Sequence, residues 1–413
     1  MSPRPVHVRR LFHKAGAVVA AALATVGLTA CSTAGGAPGE SNSPAAAPSV
    51  PTPLATSVRT AAGTWATVPM GRLDEPLNTF WQLFFRPKGT TSWSNQVEAT
   101  ATATNGGLVL ASLSGRAPGG SSLAGSSLAV GIRPSVNLAF TPLIYSSGPA
   151  SSWSNGLIDA VLASRLDALA GGPAGSALAL VDQRGVPEVL SSAGGLSQWS
   201  RLVSEADLAG GHAGRSCGTG PLTAVGYLGG RPLIGASCGR AGAVGLFARS
   251  GRTWQLAGPA LPGALARGRS EVLDIALGAK GTAVLLAVYE GGRTSVLAAW
   301  SRRGGKWSTS GPLALGAGEQ LASLGPDGGG FFSLARTPSG QERLYTVTIA
   351  GSGWRELAQP PAGTTTVAFG ASGPVDALVA GSTVLTVWSL GDGSRRWARS
   401  EVVHVPIQFG SSS

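Results

Sequence analysis

The chain has 413 residues, a formal charge of +11 and 62 glycines, and only 12% of its residues are charged. Glycine at this level without a three-residue period excludes a collagen-like fibre, and 43% apolar content excludes disorder as the state of the whole chain. Of the 31 cations 27 are arginine, scattered rather than gathered into a stripe, so the charge lacks the footprint of a nucleic-acid binder and leaves only weak attraction to anionic lipid or envelope polymer.

The first 31 residues divide into three zones. Arg4, Arg9, Arg10 and Lys14 form a positive end without an acidic residue, and an apolar run over 15–28 follows. That run is shorter than the roughly 20 apolar residues of a membrane-spanning helix, and its order of charge then apolarity is that of a secretory signal. It ends on Leu28-Thr29-Ala30-Cys31, where small residues let a peptidase reach the bond before the cysteine. This tetrapeptide resembles the lipobox of bacterial lipoproteins. The resemblance implies a diacylglyceryl group on the Cys31 sulfur, cleavage after Ala30, and a mature protein held to the membrane on its extracytoplasmic side. Loss of residues 1–30 removes four cations and no anion, lowering the charge from +11 to +7.

Residues 32–58 are almost all Ser, Thr, Ala, Gly and Pro, with Glu40 the one charged residue. Such a stretch buries too little apolar surface to offset its ordering entropy, so residues 31–58 are expected to form a solvated tether. As a flexible coil it reaches roughly 30 Å root-mean-square. The domain organisation expected is a signal peptide over 1–30, the lipidated cysteine and tether over 31–58, and a single β domain over 59–413. With Cys31 taken by lipid, Cys217 and Cys238 form an even pair in an oxidising compartment and are expected to make a disulfide.

From residue 59 onward the organising signal is tryptophan. Trp93, Trp153, Trp199, Trp254, Trp307, Trp354 and Trp397 each follow a polar, Gly- or Ser-rich turn, at intervals of 60, 46, 55, 53, 47 and 43 residues. A spacing near 50 suits four short strands with their turns, the unit of a β-propeller blade. The clearest unit has strands over 271–279, 282–289 and 294–300, with Trp307 opening a fourth. The next has 320–324, 330–336 and 343–349 before Trp354, and the last has 365–370, 375–380 and 383–390 before Trp397. Each run has strand length and each break has glycine chemistry, whereas helical periodicity is hard to find after the signal.

The fold expected is all-β, a propeller of seven four-stranded antiparallel blades, with six or eight as alternatives. Before Trp93 there is clear sequence for one strand pair only, around 78–85 and 93–103. Residues 60–69 or 401–409 are therefore expected to complete the first blade across the chain ends, removing exposed sheet edges. The repeated tryptophans are read as wedges filling the widening space between blades, each burying on the order of 200 Å². Trp65 and Trp81 fall outside the register and are the candidates for an aromatic ligand platform.

The turns before tryptophan resemble a degenerate form of the Asp-box turn, Ser/Thr-x-Asp-x-Gly-x-Thr-Trp, of sialidase-type propellers. Arg249-Ser250-Gly251-Arg252-Thr253-Trp254 keeps the Gly-x-Thr-Trp ending without the Asp, and Leu390-Gly391-Asp392-Gly393 keeps Asp and Gly with altered spacing before Trp397. The resemblance covers most of residues 60–409 as a pattern and supports the fold more than any activity.

Chemistry-bearing groups are sparse. After the signal only His212 and His404 are present, with no CxxC pair, so neither a metal site nor a cofactor is expected. Gly235-Ala236-Ser237-Cys238-Gly239 matches G-x-S-x-G, but that motif works on a strand-to-helix elbow with His and Asp partners, which a strand-rich repeat does not offer. Glycoside hydrolysis needs two carboxylates flanking the bond. Asp167 and Asp274 recur in Arg-Leu-Asp-Ala-Leu-Ala and Val-Leu-Asp-Ile-Ala-Leu, and recurrence reads as a turn or an inter-blade hydrogen bond. Tyr289-Glu290 is the one adjacent Tyr–Glu pair. The functional expectation is a membrane-tethered, non-catalytic binding module for a protein or envelope polymer; the alternative is an exo-acting glycosidase of the sialidase-like class.

Overall fold

A computed structural model describes residues 55–72, 79–96, 106–113, 127–133, 141–146, 153–158, 162–194, 196–278, 281–302, 306–326, 330–348, 353–370 and 375–405. Residues 1–54, where the signal peptide, the lipidated Cys31 and most of the tether are expected, lie outside the described residues.

The described chain is almost all β and runs as successive antiparallel meanders. The first comprises β1 (Ser57–Arg59), β2 (Gly63–Gly71), β3 (Thr79–Pro87) and β4 (Ser94–Asn95). Next come β5 (Leu108–Leu113), β6 (Ser127–Ile132), β7 (Thr141–Ser146) and β8 (Trp153–Ile158). The third meander is β9 (Arg165–Gly171), β10 (Ala177–Gln183), β11 (Val186–Ser192) and β12 (Ser200–Ser204). Two short helices follow, α1 (Glu205–Gly210) and α2 (His212–Cys217), the first opened by a capping box in which Ser204 and Asp207 bond reciprocally.

Then β13 (Thr219–Leu228), β14 (Arg231–Cys238), β15 (Leu246–Ser250) and β16 (Thr253–Leu256) are joined to β17 (Arg269–Gly278), β18 (Gly281–Glu290), β19 (Arg293–Ser301) and β20 (Trp307–Thr309). The junction is the end of β14, where Ser237 and Cys238 pair with Glu271 and Ser270 of β17. A short β21 (Leu313–Ala314) also lies along β19. The last two sheets are β22 (Gln320–Pro326), β23 (Gly330–Arg336), β24 (Glu342–Thr348), β25 (Arg355–Glu356), and β26 (Thr364–Phe369), β27 (Val375–Ala380), β28 (Val384–Leu390), β29 (Ala398–His404).

Local sequence explains these elements. Gly229-Gly230 and Gly291-Gly292 close two-residue hairpins with positive φ at both positions, 57° and 81° in the first and 56° and 77° in the second. That is the backbone a type I′ turn demands, and glycine adopts it without steric cost. The runs expected from periodicity in residues 269–390 coincide with β17–β19, β22–β24 and β26–β28 within a few residues. The first strand of five meanders carries one extra residue against its neighbour: Asp167, Thr223, Leu273, Ala322 and Thr365 are the bulged positions. Such bulges bend a strand and increase its twist.

Apolar side chains gather in layers between successive sheets. One layer joins the first and second meanders through Trp65, Phe85, Leu110 and Val130, and comparable layers follow around the fold. Ala66, Val68 and Phe84 of the first sheet also pack on Leu378, Leu385 and Val387 of the last, so the chain ends meet.

Of the two stretches expected to complete the first sheet, 60–69 does so, within β2 (Gly63–Gly71), while residues 401–404 belong to the last sheet and the chain ends meet by face-to-face packing. One boundary is corrected. Ala55–Val58, which composition assigns to the tether, lie inside the domain. Ser57 is 2% exposed, its hydroxyl donates to the Val367 carbonyl, and Ala55 bridges Ser323 of β22. Small polar residues fit there because their few polar groups find backbone partners.

Candidate functional site

All seven register tryptophans fall at the start of the fourth strand of a meander, immediately before or on β4, β8, β12, β16, β20, β25 and β29. Each joins the apolar layer between its own sheet and the one before, with Trp93 joining the layer between first and last sheets. Two of the indole N–H groups also bond to the preceding sheet's loop: Trp307 donates to the Ala257 carbonyl at 2.6 Å and Trp397 to that of Ala358 at 3.1 Å, whereas the Trp354 N–H is buried without a partner among the described residues. A large flat side chain with one polar edge suits such a wedge.

Trp65 and Trp81 are not a ligand platform. They are 1% and 7% exposed, and the Trp65 ring stacks on Phe85 at 4.1 Å with Trp153 edge-on at 5.9 Å. They lie out of register because they belong to β2 and β3 rather than to a fourth strand.

The carboxylates of interest are dispersed. Asp167 accepts from Arg133, which follows β6, at 2.8 Å and from Arg165 at 2.8 Å, an ionic link between neighbouring sheets. Asp274 lies on β17, where burial pushes its carboxyl up to about 6 against a hydrogen bond from the Ile275 backbone. Tyr289 pairs with Glu271 rather than with its neighbour Glu290: its hydroxyl donates to Glu271 Oε2 at 2.7 Å, while Glu290 faces Arg267 at 3.8 Å. Burial and the adjacent Glu271 charge drive the Tyr289 hydroxyl upward and hold it protonated, the reverse of what a nucleophilic phenolate needs. Ser237 and Cys238 of the G-x-S-x-G match end a strand, and Cys238 is bonded to Cys217. His212 opens α2 and His404 closes β29; among the described residues no group of three or more His, Cys, Asp or Glu could hold a metal ion.

The segment that opens the domain reaches beyond its own sheet. β1 touches β5, β22 and β26 besides its partner β2. Hydrogen bonds of residues 55–59 reach the last two sheets: Ser323 Oγ donates to the Ala55 carbonyl at 2.7 Å, and the Arg59 guanidinium to the Gly370 carbonyl at 3.0 Å.

An open groove lies at the outer edge between the last two sheets. It is shallow and open to solvent, with a volume of about 530 Å³. Trp388 on β28 and Trp397 before β29 supply aromatic surface, Ala358 and Pro361 supply an apolar wall, and Gln359, Arg395 and Arg396 supply polar groups. Arg395 and Arg396 are exposed and stand in the β28–β29 turn, the one that keeps Asp392 and Gly393 of the Asp-box pattern. The hydrogen bond from Trp397 to Ala358 fixes the indole against the groove wall. Sequence reading missed Trp388 because it sits mid-strand in Val-Leu-Thr-Val-Trp-Ser-Leu, where an aromatic residue is ordinary strand composition.

Stacked antiparallel meanders with tryptophan wedges between them define the fold as a β-propeller. No protein-family model matches the chain, and no curated protein matches it in sequence. Solved structures do resemble it. A Bacteroides uniformis protein provisionally assigned as a 6-phosphogluconolactonase superposes with a TM-score of 0.51 at 12% identity, over 83% of this chain and 97% of the other. A Bacteroides fragilis protein with the same provisional assignment gives a TM-score of 0.51 at 11% identity, over 84% and 96%. At these identities the likeness shows the fold alone.

Proposed function

We propose that this chain is a membrane-tethered, extracytoplasmic β-propeller lipoprotein of seven blades that binds a protein or envelope polymer without catalysing a reaction. The blade count is supported by the repeating meanders, each with its tryptophan at the fourth strand, and by the layer that packs the first sheet on the last. Tethering rests on the basic n-region, the short apolar run and Leu28-Thr29-Ala30-Cys31, with residues 31–54 as the spacer.

The observation that carries the binding role is the groove of Trp388, Trp397, Arg395 and Arg396. It gathers aromatic surface and exposed guanidinium groups on a rigid scaffold, at a turn, which is where recognition residues concentrate. The dispersed carboxylates and the upward-shifted Tyr289 are counterweights to a glycosidase reading. The test is cosedimentation of the purified full-length protein, in detergent, with isolated cell envelopes. The wild type is expected to sediment, and Arg395→Gln/Arg396→Gln to remain in the supernatant. Equal sedimentation of both would remove the groove from the account.

A further inference from the structure

We infer that the groove between the last two sheets takes an acidic sugar, with carboxylates of a polysaccharide held by Arg395 and Arg396 and its rings laid on the indoles of Trp388 and Trp397. This rests on the groove reading above and names its ligand.

The chemistry of the walls selects that class. Indole faces present flat apolar surface that accepts the C–H face of a pyranose ring, and tryptophan does so at low entropic cost because only two side-chain torsions must be fixed. Trp397 is already held by its bond to the Ala358 carbonyl. A neutral sugar would use those faces alone. The groove adds two adjacent guanidinium groups that, among the described residues, have no side-chain hydrogen bond or ion pair. Arginine presents a planar fork of N–H donors matched to a carboxylate, so two side by side suit repeated acid groups. Asp392 stands in the same turn, takes part in no ion pair with them and is not among the residues that line the groove, so it leaves both forks open. Gln359, whose Oε1 already accepts from Gln341 Nε2 at 3.0 Å, leaves its amide N–H groups on the opposite wall for a ring hydroxyl.

An acidic peptide is the competing occupant. A peptide in extended form would use an unpaired strand edge, as in β-augmentation. The edge strand here, β29, begins at Ala398, beyond the groove residues, so the groove offers side-chain surface and a linker rather than an open ladder. Side-chain recognition of rings fits that wall better than backbone pairing.

The experiment is isothermal titration of the full-length protein in detergent with hexagalacturonate, maltohexaose and hexaglutamate, repeated on Arg395→Gln/Arg396→Gln. Both arginines are exposed, so the variant keeps the fold. Hexagalacturonate is expected to bind at least tenfold more tightly than the other two, and the variant to lose that advantage. Maltohexaose binding as tightly as hexagalacturonate, unchanged in the variant, would overturn the acidic assignment and leave the groove as a binding site. Hexaglutamate binding as tightly would overturn the sugar assignment in favour of an acidic peptide. Failure of all three probes while the envelope still captures the protein through Arg395 and Arg396 would overturn this inference alone. Failure of both measurements would overturn the groove reading with it.

Discussion

Arg86 on the first sheet and Asp376 on the last are paired across the chain ends, with only 4% and 1% of their surfaces exposed. Asp376 also accepts from Trp93 Nε1 at 2.8 Å and from the Ser389 hydroxyl at 2.7 Å, and the Arg86 guanidinium lies 5.2 Å from the Trp93 ring centre. Burial pushes the Asp376 carboxyl up and pulls the Arg86 guanidinium down, and their mutual attraction offsets part of each. Asp376→Ala leaves a buried guanidinium unpaired and is expected to cost about 3–5 kcal/mol. Replacing both residues together, as Arg86→Met/Asp376→Leu, is expected to cost less than the single change. Urea denaturation of the three proteins checks this; a double variant weaker than the single one would mean that the ion pair is not what couples the ends.

The Cys217–Cys238 bond joins the end of α2 to the end of β14, next to the junction with β17, across a sequence separation of 21. In the chain-entropy account a loop of this size contributes roughly 3 kcal/mol. Cys217→Ser/Cys238→Ser is expected to unfold at correspondingly lower denaturant and to lose sensitivity to reductant. A wild type with the same midpoint in reducing and oxidising buffer would contradict a stabilising role.

Asp274 gives a pH signature. Its carboxyl is raised from 3.8 to about 6, so between those values the folded chain binds more protons than the unfolded one. Stability from this group therefore rises as pH falls through about 6 and is fully present below 3.8. At neutral pH the ionised form is a liability of about 3 kcal/mol, at about 1.4 kcal/mol per unit. Asp274→Asn mimics the protonated group and is expected to be more stable than wild type at pH 7.5, with the difference vanishing near pH 4. A variant less stable than wild type at pH 7.5 would show that the charge is compensated.

Tethering is tested at Cys31. Cys31→Ala is expected to abolish labelling by a radioactive fatty acid and to leave the chain unprocessed or released from the membrane. Labelling and membrane retention unchanged from wild type would contradict the anchor.

Much of the fold was legible because it repeats. Tryptophan after a Gly-rich turn marks the fourth strand from Trp93 to Trp397, and the periodic runs of residues 269–390 were readable nearly to the residue. The opening strand of the first sheet was not, since β1 is three residues of ordinary composition whose burial depends on a partner 310 positions away, Val367. Helices α1 and α2, six residues each, are too short for a 3.6-residue period to register, although Ser204 and Asp207 stand at capping-box spacing. The site was less legible than the fold. Trp65 and Trp81 drew attention by standing outside the register and are core, whereas Trp388 hid inside a regular strand and lines the groove. Alternation tells which face of a strand a side chain takes, not whether a neighbouring sheet covers it.

The central claim is that the chain binds through the groove of Trp388, Trp397, Arg395 and Arg396. The most direct measurement places a photo-crosslinking amino acid at position 396 in intact cells, with position 184, at the exposed β10–β11 hairpin, as control. A crosslinked species formed at 396 and absent at 184, and diminished by free hexagalacturonate, is the predicted result. Crosslinking that is equal at the two positions, or absent at 396, would contradict it.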